Sequence, residues 1–130
     1  MNESVKYWIG VAKNDLDVAR TMLTGKHYLY VGFMCQQSIE KALKAVIARD
    51  CAEGEIPPKI HDLSKLAKKG NIYTLMSEEQ KDLLDELFPM NIEARYPEYK
   101  EQIAKELSAD TCKNLIARTE EMLCWIKEQL

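Results

Sequence analysis

A chain of 130 residues, 46% hydrophobic and 30% charged, is large and apolar enough for one domain with its own core, which excludes a disordered segment. Its formal net charge of −3, from 18 basic and 21 acidic residues, excludes a globally basic nucleic-acid binder but leaves room for a local basic patch. With five glycines and four prolines among many Leu, Ala, Lys and Glu, helix is favoured nearly everywhere.

The first segment, SVKYWIGVAKNDLDVARTMLTG, repeats Trp8, Val11, Ala12, Leu16, Ala19, Met22 and Leu23 at helical intervals and stops at Gly25. A second helix is expected from His27 to Asp50. It is apolar on most of its circumference, as a central helix packed on several sides would be. The exception is a polar stripe of Gln36, Gln37, Glu40, Lys41 and Lys44, in which Glu40 and Lys44 stand in the favourable order for an ion pair. CAEGEIPPKI is a loop, and HDLSKLAKKG follows as a short helix showing Leu63, Leu66 and Ala67. Ser77-x-x-Gln80 has the form of a capping box and launches a fourth helix through Leu83, Leu84, Leu87 and Phe88. Pro89 and Pro97 frame the passage where that helix should kink or end. Glu101 to Leu107 adds a helical turn, and a fifth helix covers Asp110 to Leu130. No strand alternation and no internal repeat occur, so the expectation is a single all-α domain over 1–130, an up-and-down bundle of about five helices.

The uncharged run between Lys26 and Glu40 is too short and too polar to cross a bilayer, and MNESVKYW has no signal-peptide pattern. A cytoplasmic chain is therefore expected. Cys35, Cys51, Cys112 and Cys124 show no CxxC spacing, which points to free buried thiols in a reducing compartment. With only His27 and His61, on different elements and without the Glu-x-x-His pairs of a di-iron bundle, no metal or cofactor is expected. Glycine loops for phosphate are absent too.

Three features carry candidate chemistry. The polar stripe reads either as the solvated edge of a central helix or as an interface to a subunit or ligand, and the residues do not decide between them. His61, just before a helix start, reads more readily as a cap or loop histidine bonded to local backbone than as a ligand. Arg95, with Tyr96 and Tyr99 near it, could bind phosphate and stack on a base. Composition favours the plainer alternative for Arg95, pairing with Glu93 or Glu98 on a helix flank.

Taken in order, Trp8 with Ala12-x-x-Asp15-Leu16-x-x-Ala19, then FMCQQSIEKALKA from Phe33, His61-Asp62-Leu63-x-x-Leu66 and Arg95-Tyr96-Pro97 resemble the HEPN domain, across nearly the whole chain. The resemblance implies a helical bundle that pairs into a homodimer, often beside a minimal nucleotidyltransferase in toxin–antitoxin-like systems. Many members are metal-independent ribonucleases whose Arg is followed four to six residues later by His. Here no histidine follows Arg95, so the resemblance implies a module that binds nucleotide or RNA phosphate, or the nucleotidyltransferase, through Arg95, Tyr96, Tyr99, Gln37, Lys41 and Lys44. The alternatives are a weak ribonuclease using Arg95 with His61, and a purely structural dimerisation module.

Overall fold

The computed structural model describes residues 2–52, 54–92 and 96–130. Six α-helices occur among them: α1 (Glu3–Thr24), α2 (Tyr28–Arg49), α3 (Leu63–Lys69), α4 (Glu78–Leu87), α5 (Pro97–Glu106) and α6 (Ala109–Glu128). Short 3-10 turns lie at Tyr73–Leu75 and Phe88–Met90, and the described residues contain no strand. The chain folds as an all-α bundle with α2 at its centre, packed chiefly on α1, then on α6 and α3.

Local sequence explains most helix ends. Asn2 caps α1 by accepting from the Val5 N–H at 2.8 Å, and its amide donates to the Ala48 carbonyl at 3.3 Å, tying the start of α1 to the end of α2. Ser77 and Gln80 form the expected capping box, at 3.1 and 2.9 Å, which contributes about 1 kcal/mol to α4. Pro89 lies in the 3-10 turn that closes α4.

Pro97 behaves otherwise. Expected to stop a helix, it opens one: it is the first residue of α5, where a missing N–H costs nothing because no intrahelical acceptor would have used it. The single turn expected near Glu101–Leu107 is thus a ten-residue helix, and the described residues hold six helices where about five were expected.

The core is continuous through α2. Cys35, Ile39, Ala42, Leu43 and Val46 are fully buried, and α1 contributes Ala12, Leu16 and Ala19 to the same cluster. Small residues let α1 and α2 approach closely, and the Ser38 hydroxyl donates across the seam to the Ala12 carbonyl at 2.8 Å. A smaller cluster of Val5, Ile9, Ala45 and Ala48 closes one end of that pair, with Val5 and Ile9 more deeply buried than Trp8 or Val11. The far end of the chain is fastened as well, since the Arg49 guanidinium donates to the Gln129 carbonyl. At the other end of α2, Gly32 faces the Met90 thioether, whose sulfur would lie 2.8 Å from a Cβ placed there. Cys35 and Cys112 are buried free thiols as expected, while Cys51 is half-buried and Cys124 exposed.

Candidate functional site

Along α2, residues four apart stack on one flank, so Gln36, Glu40 and Lys44 form a single row. All three are buried, Glu40 to 1% exposure, and this is no solvated edge. A carboxylate and an ammonium survive there because every charged atom finds a partner. Glu40 accepts from the Gln36 amide at 3.1 Å, from the Lys44 ammonium at 3.2 Å and from His61 Nδ1 at 2.9 Å. The chain of contacts continues outward: the Gln37 amide donates to the Gln36 carbonyl oxygen at 2.6 Å, and Lys41 donates to that of Gln37 at 2.7 Å. Lys44 also lies 5.6 Å from the centre of the Trp8 ring, close enough for a favourable cation–π contact.

The electrostatics follow from this geometry. Burial pushes the Glu40 carboxyl up, but the Gln36 hydrogen bond, the Lys44 charge and His61 outweigh it and hold the group below its ordinary value. Glu40 is therefore anionic and can only accept, so His61 Nδ1 carries the hydrogen of that contact. Asp15 on α1 shows the opposite shift. Its carboxyl is raised, by burial first and by the Glu40 charge, against the pull of Lys41.

His61 is the outlet of the network. Its side chain is 61% exposed although its carboxylate partner is 2% exposed. With Nδ1 committed inward, Nε2 is the ring nitrogen left for an incoming group, as acceptor when the ring is neutral and as donor when it is charged. The local-backbone reading of His61 does not hold: Asp62 is the cap of α3, accepting from the Lys65 N–H at 3.2 Å, and His61 reaches instead across to α2.

The structure brings together Gln37, Lys41, Lys44 and His61 from among the sequence candidates, with Lys44 turned inward to Glu40 rather than outward. Tyr96 and Tyr99 belong to a different element, at the start of α5, and are 82% and 43% exposed. Arg95 lies outside the described residues, as does Glu93. Gln36 and Glu40, marked in the sequence only as part of a stripe, are the buried centre of the site. Trp8 and Asp15, one helix earlier, complete its surroundings; their signal is the run from Trp8 to Ala19, which holds no chemistry by itself. Among the described residues no group of three His, Cys, Asp or Glu side chains could hold a metal ion, and no helix is long and apolar enough to cross a membrane.

Comparison with known proteins agrees with this fold. The family profile described as HEPN domain matches residues 5–129. The crystal structure of TT1696 from Thermus thermophilus superposes with a TM-score of 0.81, covering 100% of both chains at 21% sequence identity, a likeness of fold. No curated protein matches the chain.

Proposed function

Because the chain belongs to the HEPN domain family, we propose that it is a binding module for the phosphate of a nucleotide or RNA, working as a homodimer in the cytoplasm. The observation that carries this reading is His61, an exposed imidazole oriented by a buried, fully partnered carboxylate. When charged, such a ring presents one defined N–H, at Nε2, to an anion without first losing rotational freedom, which favours binding. In this reading His61 and Arg95 contact the phosphate, Lys41 and Gln37 form the rim, and Lys44 neutralises Glu40 from within. Tyr96 and Tyr99 supply aromatic surface for a base. A minimal nucleotidyltransferase is the proposed protein partner, in a toxin–antitoxin-like pair.

Calorimetry with ATP, GTP and a short RNA is the test. Binding that falls at least about tenfold in both Arg95→Ala and His61→Ala, or about 1.4 kcal/mol, is the expected result. Undiminished binding in both variants overturns the phosphate role. Co-purification with the nucleotidyltransferase tests the partner separately.

The same dyad favours a second reading, a weak metal-independent ribonuclease. His61 Nε2 would move the proton of the attacking hydroxyl, with Glu40 stabilising the imidazolium and Arg95 the charge developing on phosphorus-bound oxygen. RNA cleavage that persists in His61→Ala excludes it.

A further inference from the structure

His61 stands at one end of α3, and a second cluster of donors stands at the other. Between them the helix spans about 10 Å. Leu63, Leu66 and Ala67 face the core, while Lys65, Lys68 and Lys69, spaced three and four apart, share the exposed side. Residues 59–73 hold four lysines (Lys59, Lys65, Lys68, Lys69) against the single carboxylate of Asp62, in a chain whose net charge is −3. Among the described residues none of those lysines forms an ion pair.

Just past α3, Tyr73 gathers two ammonium groups, Lys68 at 4.8 Å and Lys81 at 4.9 Å from its ring centre. Lys81 also lies 3.6 Å from Glu78, whose side chain is 87% exposed, a screened pairing that holds the lysine weakly. Beside the ring opens a concavity of about 370 Å³ lined by Lys68, Asn71, Tyr73 and Thr74. Each of these side chains carries a hydrogen-bond donor and none is acidic, which suits a phosphodiester. The larger hollow between α4 and α6, about 450 Å³, is the counterexample: Glu79, Asp82 and Glu121 line it, and its Arg118 is already bound to Glu86 at 2.7 Å. An anion is repelled there.

We infer that a single strand of RNA lies along α3, with one phosphate at His61, another in the concavity beside Tyr73, and Lys65 under the backbone between them. Tyr73 serves as the platform that holds the Lys68 and Lys81 heads in place. The length of α3 exceeds the axial rise between neighbouring nucleotides even of a stacked duplex strand, about 3.4 Å, so the two phosphates belong to different nucleotides and a mononucleotide occupies one end only. This inference rests on the phosphate-binding reading of His61 and adds length selectivity to it.

The experiment is fluorescence anisotropy with labelled oligouridylates of about two and about eight nucleotides, each titrated at several salt concentrations. The intact protein should bind the longer strand more tightly and with the steeper salt dependence. Lys65→Gln with Lys68→Gln, both at exposed positions, should weaken the longer strand about tenfold or more and lower its salt slope by about 0.7 per lost phosphate contact, with a smaller loss for the shorter strand and ATP, which reach only part of the path. An unaltered melting curve for the double variant shows that the loss is not unfolding. If the intact protein binds RNA and the double variant binds the longer strand equally well with the same slope, the α3 path is wrong and the His61 reading stands. If the intact protein binds neither strand nor ATP, both fall. Equal, lysine-dependent binding of a glutamate oligopeptide would assign the surface to an acidic protein and overturn the inference.

Discussion

Two flanks of α2 are built by opposite rules. On one, Gln36, Glu40 and Lys44 carry polar ends into the protein and satisfy one another with help from His61. On the other, Cys35, Ile39, Ala42 and Val46 make a dry contact, and the buried hydroxyl of Thr119 on α6 has no conventional hydrogen-bond partner among the described residues. Its polar neighbour there is the Cys35 thiol, which burial pushes up to about 11 and so keeps protonated, and a thiol is a poor partner for a hydroxyl. The difference lies in tolerance. A dry face asks only for volume and shape, and loses little when one polar atom is badly placed. A buried ionic row demands all of its members together, and in return fixes the orientation of one exposed imidazole.

The sharpest way to break the contrast is Glu40→Ala. It strands the Lys44 ammonium and the Gln36 amide in the interior, and should cost about 3–5 kcal/mol in urea unfolding. The paired change Glu40→Leu with Lys44→Met should recover much of that loss while disordering the His61 ring, which separates stability from orientation. A recovery of RNA binding in the paired variant would show that Glu40 does not position His61.

Acid should reveal the same asymmetry. Glu40 lies below its ordinary value of 4.5 in the folded protein, so its contribution is complete above that value and disappears as the pH falls through the lower, folded one. Asp15, raised above 3.8, works in the reverse sense: it costs stability above its folded value and stops doing so as the pH falls through it. Urea unfolding followed across the acid range should therefore show a steeper acid limb in Asp15→Asn and a flatter one in Glu40→Gln.

On the dry flank, Thr119→Val removes the unpartnered hydroxyl at nearly constant volume and should stabilise the fold by about 1 kcal/mol. A loss of that size instead would mean that the hydroxyl is partnered, by the Cys35 thiol or by water. The smallest effect belongs to His61→Ala, whose mostly exposed side chain should change stability by less than about 1 kcal/mol in thermal melts while it alters phosphate binding.

Much of the scaffold is legible in the chain because its determinants are local. The Ser77–Gln80 box, the Gly25 stop and the four-residue spacing of Glu40 and Lys44 each involve residues within a turn or two, where helical geometry decides the outcome. Pro97 misleads because a proline signals a boundary without saying on which side the helix lies. The site is harder to read. His61 meets Glu40 across 21 residues of sequence, and Lys44 meets Trp8 between helices, so neither pairing leaves a periodic trace. Whether the stripe is wet or buried depends on what covers α2, and no property of α2 alone could decide it.

The hairpin of α1 and α2 has a consequence in time. These helices are sequence neighbours joined by a tight turn at Gly25–His27, so their contacts close the shortest loops available to a pair of long helices. The Gln36–Glu40–Lys44 row and its neighbours Trp8 and Asp15 all belong to that hairpin. The imidazole must wait for the loop after α2 to settle and α3 to dock. Contact range thus predicts that the site assembles from the inside outward, with the carboxylate caged early and the histidine that opens it to the surface the last member to arrive.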